Sequence, residues 1–402
     1  MKSIISKSIL LTMAVIIVNF GFKIFLSYHI AKADIGLFYT LIDMISVASL
    51  VFSGYKDSMI KVVADNQFFY LKFYIFRDYT ILTIILLIVL FYFFDTSSTR
   101  LFEFDWLLAF FIISQISNYY SYLNVAYRNY NSMLFEKSIK ALALTFSFIF
   151  YIQFLDTLLA LIISYITQLV LHIIYLYITS PKIFFINNHF HNNKKLYKGF
   201  FKNYILSTTT SFFGSISIYL SGVIMLHLYS NSGMLAEYQI VAKSIFFALV
   251  AVFVHPVTAY TFPELSKFIS QSKYNEVKRI DKKLKQYLFF FMILLLLSMP
   301  FSSWVIGIVF PLEYKNSYLM LNSMLPMLPF IVYTSFSINI IKSFNRFDLA
   351  LYIRIIGTIL FFLSIYMFYF IGIDAMSIPY SLDISFLAMF ALAFYYKRRL
   401  LI

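Results

Sequence analysis

Residues 286–309, QYLFFFMILLLLSMPFSSWVIGIV, form one continuous apolar run, and residues 273–285 just before it, KYNEVKRIDKKLK, hold six basic residues and two acidic ones. A helix needs about 20 mostly apolar residues to cross roughly 30 Å of hydrocarbon. The run is long enough, and it lacks the alternation of apolar and polar positions that a membrane β-strand requires. It therefore predicts a membrane-spanning helix whose boundary falls at Lys285 and Gln286.

Working outward, the same pattern recurs along the chain. Further apolar runs bounded by polar clusters occupy residues 8–28, 36–55, 79–94, 106–126, 136–154, 157–179, 204–227, 236–260, 318–341, 349–370 and 376–396. The third is short and needs flanking residues such as Tyr79 or Asp95. The first follows Lys2 and Lys7 in the manner of a secretory signal, but it is too long for one and eleven spans come after it. The expected fold is thus an all-α integral membrane protein with about twelve transmembrane helices.

Composition agrees. Of 402 residues 61% are hydrophobic and only 12% charged, against about 25% charged in an ordinary globular protein, and mean hydropathy is +0.82. Too little polar surface exists to enclose this chain in water, which excludes a soluble enzyme and a disordered chain. The absence of cysteine excludes a disulfide scaffold. Ten glycines and eight prolines are too few for a collagenous or low-complexity reading.

The net charge of +14 marks topology rather than a nucleic-acid partner. With the N-terminus inside, 27 of the 32 lysines and arginines fall in inner segments, while the outer connections hold only Lys32, Arg100 and Lys315. Lys23 and Lys243 lie within spans. This asymmetry follows the positive-inside rule and puts both termini in the cytoplasm. The outer loops are too short for a soluble catalytic domain. The basic segments 180–203 and 261–285 suit contact with anionic headgroups of membrane lipids. Residues 181–203 fall midway along the spans and read as a cytoplasmic linker between an N-terminal six-helix bundle, 1–180, and a C-terminal one, 204–402. A weak internal repeat, Tyr39 with Tyr238 and Leu50-Val51 with Leu249-Val250, supports that division.

Motifs for enzymatic chemistry are missing: no HExxH, P-loop, GxSxG or glycine-rich dinucleotide fingerprint occurs, so neither a metal nor a cofactor is expected. His189 and His191 share a polar segment with Asn187, Asn188 and Asn192 and read as solvated loop. Without an ATP-binding motif, any transport draws on an ion gradient or on the substrate's own.

The informative residues are ionisable groups inside spans, where a central charge costs about 2.5 to 3.5 kcal/mol and normally faces a wet cavity or a partner. Lys23, Asp43, Lys243 and Asp383 lie in the outer to middle depth; Lys140 and Arg354 lie nearer the inner ends, where snorkelling is an alternative. Lys23 and Asp43 flank one outer loop at similar depth, so a structural ion pair across that hairpin is the competing reading. Asp383, after Ser381, either caps a helical break or accepts a proton. His172, His227 and His255 read as hydrogen-bonded fillers. The aromatics, 49 Phe and 33 Tyr, suit interfacial belts and lipid-facing packing, with a few tyrosines available to line a cavity.

Several segments, in order, resemble the Wzx-type polysaccharide repeat-unit flippases of the multidrug/oligosaccharidyl-lipid/polysaccharide (MOP) exporter superfamily. They are Asp34-Ile35-Gly36-Leu37-Phe38-Tyr39-Thr40-Leu41 at the start of the second helix, Phe52-Ser53-Gly54-Tyr55 with Val62-Val63-Ala64 at its exit, and Tyr127-Arg128-Asn129-Tyr130-Asn131 before the fifth. Glu237-Tyr238-Gln239-Ile240-Val241-Ala242-Lys243 with Phe262-Pro263-Glu264-Leu265-Ser266-Lys267 is similar to the eighth. Glu313-Tyr314-Lys315-Asn316-Ser317 and residues 371–379 fill two further positions. Ala236 stands where many relatives have glycine, and Ser221-Gly222 where an acidic-basic pair is frequent.

The resemblance implies a MATE-like pair of six-helix bundles around a central cavity, working by alternating access in the bacterial inner membrane. The implied cargo is an undecaprenyl-diphosphate-linked glycan of O-antigen or related type, moved from the cytoplasmic to the periplasmic leaflet. Lys23, Lys243, Arg354 and Lys140 are then the candidate cations for the diphosphate, and Asp43 and Asp383 the candidates for a coupling proton or sodium ion. The polysaccharide polymerase machinery is an implied neighbour. Two rivals stay open: a multidrug antiporter of the same superfamily, expected to gather acidic residues in its cavity, and an O-antigen polymerase, expected to carry a sizeable periplasmic loop.

Overall fold

The computed structural model describes residues 2–64, 68–96, 104–127, 129–180, 194–229, 232–344 and 346–401, and among them every regular element is helical. Helix α1 (Lys2–His29) is followed by α2 (Lys32–Ser49), a 3-10 turn at Leu50–Phe52 and α3 (Ser53–Ala64). Then come α4 (Phe68–Thr96), α5 (Phe104–Ala126), α6 (Tyr130–Tyr151), α7 (Thr157–Thr179) and α8 (Lys194–Tyr229). A short α9 (Ser232–Ala236) leads through a π turn at Glu237–Ala242 into α10 (Lys243–Ser270). The rest comprises α11 (Tyr274–Ser298) with α12 (Ser302–Val309), α13 (Ser317–Met324) with α14 (Leu328–Ser343), α15 (Phe347–Ile371) and α16 (Ser377–Leu401). Residues 181–193, with His189 and His191, lie outside the described residues.

Each of the twelve expected spans falls on one of these helices or on a consecutive series of them. Among the described residues nine helices are long and apolar enough to cross a bilayer, and a shorter apolar helix, Met13–His29, adds to them. The chain is a multi-pass membrane protein. Pro300 and Pro326 sit in the 3-10 turns between α11 and α12 and between α13 and α14. Proline has no N–H to give to the helical ladder, and the tighter turns accommodate it at membrane depth. Helix α15 stops at Gly372, whose φ of 80° is left-handed and costs glycine little.

Contacts divide the chain into two units, one of residues 1–22 and 45–212, the other of residues 23–44 and 213–402. Helices α1, α2 and α8 each contribute to both.

The first unit is packed around tyrosines. Tyr55 lies 5.1 Å from Tyr79 and 4.5 Å from Tyr204, and Tyr79 lies 5.0 Å from Tyr119, centroid to centroid. The 3-10 turn frees the carbonyl of Val51, which accepts from the Tyr204 hydroxyl at 3.0 Å and from Thr208 Oγ1 at 3.3 Å. Gly54 permits that approach, since a Cβ there would stand 2.4 Å from the Tyr204 carbonyl oxygen. These tyrosines are therefore packing and hydrogen-bonding groups of the first unit.

In the second unit, Leu265, Ile269, Val277, Phe336, Ile340 and Leu401 form one buried apolar cluster. Beside it, Lys397 is 2% exposed and donates to Asp281 Oδ1 at 2.6 Å. Tyr333 donates to the same oxygen at 2.8 Å, and the half-exposed Lys285 reaches Asp281 Oδ2 at 3.0 Å. Helices α11, α14 and α16 are thereby tied at one end.

Candidate functional site

Four of the six candidate residues, Lys23, Asp43, Lys243 and Arg354, join specific features of the second unit, and Asp383 belongs to it as well. Asp43 sits about three turns into α2 and is buried. Its Oδ2 accepts from Lys243 Nζ at 2.5 Å and from Gln239 Nε2 at 2.7 Å. Gln239 also reaches Thr40 Oγ1 at 3.3 Å. The hairpin ion pair between Lys23 and Asp43 is thus not what forms: the carboxylate is held by Lys243. Lys23 donates instead to Ser244 Oγ at 2.5 Å and lies 4.4 Å above the Tyr39 ring, within electrostatic reach of both Asp43 and Lys243.

The π turn is what makes this arrangement possible. Residues Glu237–Ala242 are all buried, and the wider winding releases the Gln239 carbonyl, which Ser244 Oγ satisfies at 2.7 Å. Tyr238, fully buried, donates to Ser221 Oγ at 2.8 Å. Gly222 opens space for the network, because a Cβ there would lie 2.0 Å from Gln239 Nε2 and 3.3 Å from Asp43 Oδ2. Ser221-Gly222, the noted departure from the resembled pattern, supplies a hydroxyl and a gap. Ala236 is accommodated likewise: a Cβ on Gly36 would meet the Ala236 nitrogen at 2.8 Å. Next to it, Lys32 binds Glu237 Oε1 at 2.5 Å and the Glu313 carbonyl at 2.5 Å.

Arg354 lines a cavity of about 180 Å³ in the same unit, with Thr334, Ser335, Phe247, Phe386 and Met389 among its walls and no carboxylate among the described lining residues. The guanidinium depends on a missing side chain. A Cβ on Gly214 would stand 1.8 Å from Arg354 Nη1. Asp383 lies in the second turn of an unbroken α16, so it caps no helical break, and its buried Oδ1 has no hydrogen-bond partner.

Lys140 is in the first unit. It follows Glu136 by one turn of α6 and interacts with it electrostatically. Of the remaining histidines, His172 is a buried partner of Ser117 and Glu136, while the side chain of His255 lies outside the described residues.

A multi-pass helical chain with buried ionisable groups in both units, and five of the six candidates in the second, is a polytopic membrane protein rather than a single-span anchor. The sequence matches no family model and no curated protein significantly, but solved structures share its fold. A multidrug resistance MATE family transporter of the MOP superfamily matches with a TM-score of 0.74 at 12% identity, covering 98% of each chain. The lipid II flippase MurJ matches with a TM-score of 0.76 at 12% identity, over 97% of this chain and 87% of that one. A MOP superfamily transporter from Pyrococcus furiosus matches at 0.67 and 15% identity, over 100% and 95%. The chain has the MOP transporter fold, and these neighbours are transporters and a flippase, not enzymes.

Proposed function

We propose that the chain is a flippase that carries an undecaprenyl-diphosphate-linked oligosaccharide repeat unit from the cytoplasmic to the periplasmic leaflet of the bacterial inner membrane, with no catalytic step and no cofactor. The observation that carries this reading is the sign of the buried charge. Arg354 lines the second unit's cavity, and in the same unit Lys23 and Lys243 together exceed their neighbour Asp43 by one positive charge. A diphosphate in low dielectric needs nearby cations, and the apolar walls from Phe247, Phe386 and Met389 tolerate a lipid attachment. Lys140 adds a cation in the first unit. The likeness to a lipid II flippase supports a lipid-linked cargo.

A multidrug antiporter of the same fold is the second reading, favoured by the orphaned carboxylate oxygen of Asp383 and by the likeness to MATE transporters. Gene deletion separates the two. The flippase reading expects a diphosphate-linked oligosaccharide to accumulate on the cytoplasmic leaflet, with export restored by the wild-type gene but not by Arg354→Ala. No accumulation, together with increased sensitivity to cationic dyes, rejects it in favour of the antiporter.

A further inference from the structure

A buried polar chain connects α5, α6 and α7 of the first unit, apart from every residue assigned above to cargo except Lys140. His172, fully buried on α7, is hydrogen-bonded through Nδ1 to Ser117 Oγ on α5 at 2.7 Å, while its Nε2 lies 3.1 Å from Glu136 Oε1 on α6, at ion-pair distance but without hydrogen-bond alignment. Ser121, one turn from Ser117, donates to the same Glu136 oxygen at 2.5 Å.

We infer that the Glu136–His172 pair, with Ser117, is a proton-binding site of the first unit. In the neutral state the nearby carboxylate of Glu136 favours the tautomer with the hydrogen on Nε2, and Nδ1 then accepts from the Ser117 hydroxyl. Binding a proton places a second N–H at Nδ1. Ser117 then becomes the acceptor, and its own hydrogen turns to a carbonyl one turn back on α5. Thr83 and Ser147 of the same unit make that back-bond, to Tyr79 and Ala143. One proton is taken up, no covalent bond breaks, and the Nδ1–Ser117 hydrogen bond is kept in both states with its direction reversed. A fixed filler needs no such reversible partner.

The charged groups nearest the imidazole are Glu136, opposite in sign to an imidazolium, and Lys140, of the same sign and in electrostatic contact with both groups. Lys137, exposed on α6, acts on Lys140 from further out. Ser117 and Ser121 on α5 carry no charge. Glu136 stands in the second turn of α6 and His172 about two turns from the end of α7, so the pair lies near those helix ends rather than at mid-helix. The site offers a coupling proton a place to bind, whereas Asp43 is already held by Lys243 and Gln239. It is independent of the identity of the cargo.

The test uses the full-length protein in detergent with histidines labelled at Cε1, the His172→Gln variant assigning the resonance among six histidines. A His172 signal that shifts with pH somewhere between about pH 5 and 9 is expected, with its midpoint moved by about one pH unit or more in Glu136→Gln. A wild-type signal that is constant from about pH 5 to 9 overturns the proposal. A titration whose midpoint is the same in Glu136→Gln overturns the pairing on which it stands.

Discussion

Replacing Asp43 with leucine tests whether the network around the π turn is a staple of the second unit. The carboxylate receives two charge-assisted hydrogen bonds through one oxygen, from Lys243 at 2.5 Å and Gln239 at 2.7 Å, and both members of the ion pair have side chains only about a tenth exposed. Removing one partner of such a pair leaves the other charge buried and uncompensated, which costs about 3–5 kcal/mol. Removing both with apolar groups of similar volume is close to neutral, so Asp43→Leu with Lys243→Met should recover most of the loss. The assay is thermal unfolding in detergent, read by fluorescence-detected size exclusion, over the complete double-mutant cycle. Each single variant is expected to unfold well below wild type and the double variant above either. Losses that simply add, within about 0.5 kcal/mol, would refute the pairing as a source of stability.

Two glycine substitutions should behave oppositely. Gly54→Ala drives a Cβ to within 2.4 Å of the Tyr204 carbonyl, where backbone must move, and should cost about 1–3 kcal/mol in the same unfolding assay. Gly214→Ala meets the far end of the Arg354 side chain at 1.8 Å; that end can swing aside, so the expected outcome is a small change in Tm with loss of export in a complementation assay. Asp281 provides an internal comparison of two lysines on one carboxylate. Lys397→Ala, at a side chain 3% exposed, should destabilise by about 3 kcal/mol, and Lys285→Ala, at one 49% exposed, by about 0–1 kcal/mol after solvent screening. Equal losses in thermal unfolding would contradict the burial argument.

The spans were legible because each is a continuous apolar run, and length alone then makes it a membrane helix. Their ends were less so. Helix α4 begins at Phe68, eleven residues before the expected span, because residues 68–78, an aromatic stretch interrupted by Lys72, Arg77 and Asp78, continue the helix. Lys23, Asp43 and Lys243 announced themselves as charges in hydrocarbon. Their partners did not: Gln239, Ser244 and Ser221 are neutral, and a lone neutral polar residue in an apolar run carries no sign of what it will meet. Gly214 and Gly222 act by the side chain they lack, which no pattern of hydrophobicity reports. Asp281 and Lys397 were hidden differently. They sit in segments whose many charges read as topology labels, and only packing reveals that this pair is buried. The π turn is invisible to periodicity, since it adds one residue to a winding that otherwise looks α-helical.

The Asp43 network also sets a timetable for biogenesis. Asp43 and Lys243 are separated by 200 residues, and Lys23 and Ser244 by 221. A ribosome adding 5–20 residues per second needs roughly ten to forty seconds to cover that distance. Throughout that interval the first hairpin must wait in or beside the insertion machinery with its charges lacking their final partners. The opposite charges it does carry at similar depth are Lys23 and Asp43. The partners that hold Asp43 and Lys23 in the finished fold, Lys243, Gln239 and Ser244, therefore reach the membrane only with the π turn and α10.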